Sequence, residues 1–202
     1  MPSLDGATDD FKAPEDLTPV PKLALRDGAL ALAALSLWAA ADTWHATSGL
    51  GLAAILSVLD GFVVGVVVSG LAHEWGHFAG ARLGGGVAPT TRFGSFFPIF
   101  VFDMEHSDAR AFRAMSVGGN VGHWLVVLVL AVFLPLDGPG RIALVSAAFG
   151  FACFASATEF PVIRRAYSGA SPIESFAGLT AEKLRRNQWI GAAAGAGLFI
   201  VL

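Results

Sequence analysis

Residues His73-Glu74-Trp75-Gly76-His77 carry the chain's most specific chemical pattern, H-E-x-x-H, inside a strongly apolar stretch. On a helix, positions i and i+4 share a face. His73 and His77 can therefore offer two imidazoles to one metal ion, an arrangement that suits Zn²⁺. Glu74 lies about 100° round the same helix. From there its carboxylate can take a proton from a water activated at the ion. The competing reading is two structural histidines and a glutamate that snorkels to the surface. The surroundings weigh against it, because ionisable groups inside a membrane span are costly and usually functional.

Those surroundings are read from composition. The 202 residues are 54% apolar and 14% charged, with a mean hydropathy of +0.63. Soluble domains carry roughly 25% charged residues. The net charge of −3 is mild, and no basic patch points to nucleic acid. The one cysteine, Cys153, lies in an apolar run, where it has no disulfide partner and gives no Cys-rich zinc module. No secretory leader is evident, because the start of the chain is acidic and proline-rich.

Residues 1–22 read as a disordered, solvated cytoplasmic tail, and 23–202 as one integral-membrane, metalloprotease-like domain. Spans are expected at 28–44, 61–82, 112–136 and 142–163, with a partial or full span at 189–202. Residues 50–82 exceed one span of about 20 residues, and the favoured division is a short interfacial helix, 50–59, before the span at 61–82. The alternative is one tilted helix kinked near Asp60-Gly61. Small residues at spacing four, Gly61/Gly65/Ser69 and Ala72/Gly76/Gly80, favour close helix packing and put this helix at the bundle's centre. After Gly84-Gly85-Gly86, the β-branched and aromatic stretch 87–102 suggests short strands, a hairpin or a re-entrant segment. Asp103, Glu105 and His106 read as a solvated loop. Ser171-Pro172-Ile173-Glu174 is a capping box opening an amphipathic helix to about 186, which gives Glu174 a structural role. The expected fold is an all-α polytopic bundle of about four to six transmembrane helices.

Of the 13 Lys and Arg residues, only Arg141 falls on one side of this bundle. The positive-inside rule puts the N-terminus and the 82–113 and 164–186 connections in the cytoplasm, as in a cell (inner) membrane. Depth follows at 1.5 Å per residue. His77 lies five residues from Arg82 and Glu159 five from Arg164, each about 7–8 Å in; Asn120 and His123 lie about 10–15 Å from Arg113. Polar groups of three helices thus share one layer, as a common buried site requires.

The H-E-W-G-H pattern in an apolar span resembles the site-2 protease family of intramembrane zinc metalloproteases, whose pattern there is H-E-x-G-H. The Ala81-Arg82-Leu83-Gly84 continuation, the strand-like stretch with Phe93-Gly94 and a third span with a glycine-rich start are similar to it. The resemblance covers residues 60–165, about half of the chain by span lengths. It implies a third metal ligand from a later span, usually an aspartate in an N-x-x-P…L-D-G stretch. Leu136-Asp137-Gly138 matches that text, but Asp137 lies about 36 Å along the helix from Arg113, across the membrane from His77. Thr158-Glu159-Phe160-Pro161 matches in depth and order, although Tyr167-Ser168-Gly169 replaces the aspartate stretch. A Zn–O bond is about 2 Å long, so Glu159 is the expected third ligand, with His123 the runner-up. Asn120 and His123 fall near the family's G-P-x-x-N asparagine and are candidate oxyanion donors.

The implied activity is zinc-dependent intramembrane endopeptidase cleavage of membrane-embedded protein substrates. His73, His77 and Glu159 would hold Zn²⁺ and Glu74 would act as base, while residues 87–102 could pair with an extended substrate. The alternative is a non-proteolytic metal-binding or regulatory membrane protein on the same scaffold. A transporter ranks last, because no internal repeat is visible. The sequence names neither the substrate nor the oligomeric state.

Overall fold

The computed structural model describes residues 17–95 and 97–202. Six helices follow in order: α1 (Val20–Ser48), α2 (Gly51–Leu83), α3 (Ala109–Phe133), α4 (Pro139–Tyr167), α5 (Pro172–Phe176) and α6 (Ala181–Val201). The first four are long and apolar enough to cross a membrane, so the chain is a polytopic membrane protein. The segment 189–202 is helical as the end of α6, but α6 is not among those four. Large apolar side chains such as Leu32, Leu37, Val63, Leu128, Val132 and Phe133 face outward, on surface that water would penalise and lipid accommodates.

Helix α2 touches α1, α3 and α4 and is the central element. It runs unbroken through Asp60-Gly61 for 33 residues, so the expected split into an interfacial helix and a span does not occur. The reason is what Gly61 packs against. A Cβ there would stand 2.6 Å from the Gly140 carbonyl oxygen, and one at Gly65 would stand 2.5 Å from that of Leu144. These glycines bring α4 against α2 and do not end the helix. At about 1.5 Å per residue α2 is about 50 Å long, more than a hydrocarbon core of about 30 Å, so it tilts or protrudes. It stops where Gly85 takes a positive φ of 85° and the Gly86 N–H bonds back to the Ala81 carbonyl.

Residues 1–16 of the expected tail lie outside the described residues. The rest of that segment is ordered, because Thr18 is buried and its carbonyl accepts from Thr90 Oγ1 at 2.6 Å, and α1 already begins at Val20. Residues 87–102 double back with backbone bonds Thr91 N–H to Ile99 O, Val101 N–H to Pro89 O and Asp103 N–H to Val87 O. Only an isolated bridge, Thr90 with Phe100, results, and no strand forms among the described residues. The apolar side chains here instead fill a core: Ile99 and Phe100 pack with Phe78, Phe112, Met115 and Val162. Asp103 closes this loop by accepting from the backbone N–H groups of Glu105 and His106 and from the His106 ring. The His106 backbone bond foremost holds its carboxyl below the usual carboxylate range. The capping box at Ser171 forms as expected. Its helix ends at Phe176, however, because a new N-cap at Thr180 accepts from the Lys183 N–H and starts α6.

Two further carboxylates are occupied far from the motif. Asp42 is buried and accepts from Arg141 Nε and Ser57 Oγ, both at 2.9 Å. Asp137 pairs with the same arginine. This cluster ties together the ends of α1, α2 and α4 opposite to the motif.

Candidate metal centre

Glycine decides how near α3 can come to the motif. A Cβ on Gly76 would lie 2.3 Å from the Gly118 oxygen, and one on Gly122 would lie 2.1 Å from the Ala72 oxygen. Close backbone approach of this kind needs the small-residue rows of membrane helices. Gly119 leaves room for the His77 ring, whose Cε1 would stand 2.3 Å from a Cβ there. With α4 drawn in by Gly61 and Gly65, three helices deliver their polar side chains to one place.

There, His73 Nε2, His77 Nε2 and Glu159 Oε1 form a triangle. The nitrogens are 3.1 Å apart, and the oxygen is 3.1 Å from His73 and 2.8 Å from His77. These three residues are the one group among the described residues whose ligand atoms are close enough to share a metal ion. Their side chains are 13–18% exposed, so the centre is not sealed inside the bundle.

The protons around the triangle follow from its partners. His77 Nδ1 faces the Met115 carbonyl at 2.8 Å, so that nitrogen carries the hydrogen and a neutral ring turns a lone pair inward at Nε2. The carboxylate Oε2 of Glu159 only accepts, so Asn120 Nδ2 donates to it at 2.6 Å. Asn120 Oδ1 then accepts from Ser156 Oγ at 2.9 Å. With its one proton used, Ser156 accepts from Trp124 Nε1 at 2.9 Å and from His123 Nε2 at 3.3 Å. A neutral His123 is then an acceptor at Nδ1, and His73 Nδ1 donates to it at 3.0 Å. His73 Nε2 is thereby left with its lone pair facing the triangle. With the rings in these neutral tautomers the three converging atoms are all acceptors, which one shared cation satisfies together. The donor set therefore fits a metal. Two imidazoles and a carboxylate also match one of the known catalytic zinc sets. Each ligand has the outer partner that such sites use to fix ligand orientation.

Glu74 lies outside the triangle. Together with His77 and Glu159 it lines a cavity of about 260 Å³, roofed by Pro98, Phe100 and Phe102. Its Oε2 accepts the Ile99 N–H at 3.3 Å, which ties the 87–102 loop to the motif helix. Trp75, next in sequence, donates from Nε1 to Asp27 of α1 at 2.9 Å, and Arg26 Nη1 donates to the Phe93 and Ser95 carbonyls. One turn of α1 thus holds both the motif and the loop above it.

All six residues singled out from sequence, His73, Glu74, His77, Asn120, His123 and Glu159, come together. Two have a different place from the one expected. Asn120 and His123 do not line the cavity; they are buried behind the ligands, with their polar atoms committed to Glu159, His73 and Ser156. Their polar atoms are turned toward the candidate ligands and Ser156, away from the cavity. Ser156 and the Met115 carbonyl were not anticipated. Ser156 had a signal, since it lies three residues before Glu159 and hence on the same helical face. A main-chain carbonyl has none. Asn120→Ala is expected to weaken metal binding about 10–100-fold with little change in helicity. Competition with a calibrated chelator measures it, and unchanged affinity would remove Asn120 from the site. Comparisons with protein-family models, curated proteins and solved structures gave no significant match.

Proposed function

We propose that this chain is a zinc-dependent intramembrane endopeptidase, hydrolysing peptide bonds of membrane-embedded protein substrates on a scaffold like that of the site-2 proteases. The observation that carries the reading is the convergence of His73 Nε2, His77 Nε2 and Glu159 Oε1 within 3.1 Å of one another, with a fourth ionisable group, Glu74, on the cavity that His77 and Glu159 line. His73, His77 and Glu159 would hold the ion. When bound, the ion supplies Lewis acidity that activates water and polarises a peptide carbonyl. Glu74 takes the proton from the attacking water and returns it to the leaving amine. The Ile99 N–H keeps that carboxylate turned toward the cavity. The loop over the cavity supplies main-chain groups against which a locally unwound substrate can lie extended. By the distribution of Lys and Arg, the site belongs to the cytoplasmic half of a cell membrane, with the N-terminus on that side.

The test is made on the purified full chain in lipid nanodiscs. About one zinc per chain is expected by elemental analysis. Cleavage of an embedded model substrate should stop on chelation and return with added zinc. Absence of stoichiometric metal, with the same content in His73→Ala, would leave the non-proteolytic regulatory alternative in place.

A further inference from the structure

The cavity beside the motif has two kinds of wall. One end is polar: Glu74, His77 and Glu159. The remainder is mostly apolar, with Phe100 and Phe102 from the loop, Met115 from α3, Val162 from α4, and Phe176 and Leu179 from the segment around α5; the two hydroxyls on its wall, Ser116 and Thr158, donate to carbonyls of their own helices. Its volume of about 260 Å³ is just below the roughly 300–1,000 Å³ of small-molecule pockets. That is room for one large side chain and its flanking backbone, and too little for a folded segment.

The apolar end is built. Ser171 and Glu174 cap α5 reciprocally, Ser175 is fully buried, and Arg165 Nη1 donates to the Ser175 carbonyl at 3.3 Å. Arg165 also lies flat where Gly178 has no side chain; a Cβ there would stand 2.2 Å from its guanidinium. The Phe176 ring meets Phe112 at 5.7 Å between centroids, and Phe112 meets Phe102 at 5.9 Å. An aromatic wall therefore runs from the loop over the motif to the α5 segment. Neither the turn at 177–180 nor Phe176 has any role in the metal site itself.

Resting on the endopeptidase reading, we infer that this chamber is the specificity subsite, and that it takes one large apolar side chain, phenylalanine or leucine in size, from a residue flanking the scissile bond. The polar end places the backbone of that residue against Glu74 and the metal ligands, while the side chain points away toward Phe176 and Leu179. An acidic side chain is refused, because the end it would enter is walled by Phe100, Phe102, Met115, Val162, Phe176 and Leu179, which offer a carboxylate no partner for its charge.

The experiment uses the zinc-loaded full chain in nanodiscs and short peptide hydroxamates that differ only in the side chain beside the hydroxamate: Phe, Ala or Asp. Binding is read by thermal shift and by competition with a chelator dye, and cleavage of embedded substrates with the same three residues is mapped by mass spectrometry. Phe should bind at least about tenfold more tightly than Ala, and Asp should not bind measurably. Leu179 is 40% exposed at the rim, so Leu179→Trp should fold and fill the chamber, reversing the order to Ala over Phe. Phe176→Ala should enlarge it and relax the preference. Equal binding of Phe and Asp, no binding of any hydroxamate, or an unchanged order in folded Leu179→Trp would each overturn the assignment. Selective binding without cleavage of any substrate would instead sink the endopeptidase reading and leave the chamber's selectivity standing.

Discussion

Glu74→Gln is expected to lower the rate of substrate cleavage about 10²–10⁴-fold, the usual contribution of a general base, while zinc content stays at one per chain. The substitution is nearly isosteric, and the Gln carbonyl oxygen can still accept the Ile99 N–H that Glu74 Oε2 receives at 3.3 Å. The 87–102 loop therefore keeps its anchor on α2. None of the three candidate ligand atoms changes, because the triangle consists of His73 Nε2, His77 Nε2 and Glu159 Oε1. What is lost is only the ability to take a proton at neutral pH. Single-turnover cleavage, elemental analysis and thermal unfolding on one preparation separate these effects. Retained cleavage would remove Glu74 from its role as base. Loss of metal together with activity would show that the carboxylate acts on the ion or its ligands instead.

The parts of this site legible in the sequence are those that follow from helical geometry and membrane energetics. His73 and His77 share a face because they are four residues apart. Glu159 could be preferred over Asp137 because depth in a bilayer is nearly linear in residue count; Asp137 indeed pairs with Arg141 at the far end. Depth, however, fixes only one coordinate. Equal depth puts Asn120 and His123 in one layer with His73, His77 and Glu159, but whether they face the cavity or stand behind those residues depends on helix rotation. That rotation is set by Gly118, Gly119 and Gly122 meeting α2, and spacing alone does not show which neighbour a glycine serves. Gly61 illustrates the same ambiguity. Next to Asp60 it reads as a break, whereas in the fold it is the contact point for α4. The 87–102 stretch departs from its strand-like pattern for another reason. Its β-branched and aromatic residues suit a strand, but Ile99 and Phe100 are drawn into the core with Phe78 and Phe112, and packing outweighs strand propensity where the two compete.

The largest structural effect is expected from the smallest change, Gly122→Ala. The added Cβ would stand 2.1 Å from the Ala72 carbonyl oxygen, 2.8 Å from its carbon and 3.3 Å from His73 Cα. All three are backbone atoms of α2, so no side chain can turn aside to make room. Non-bonded carbon contacts settle at about 3.5–4.0 Å, which requires α3 to retreat by roughly 1 Å. The bond between His73 of α2 and His123 of α3, at 3.0 Å, would then exceed the reach of a hydrogen bond, about 3.2 Å. The ligands lose their orientation although none has been mutated. A destabilisation of about 1–3 kcal/mol from overpacking should accompany a fall in zinc affinity of about tenfold or more. Gly28 in α1 and Gly197 in α6 supply the control, since nothing lies within 4 Å of a Cβ at either. Alanine there should be neutral or stabilising by up to about 1 kcal/mol, because it removes a poor helix former. Thermal unfolding in nanodiscs and zinc competition on the three variants make the comparison. If Gly122→Ala matches the two controls in both measurements, then the α2–α3 contact does not hold the ligands in place.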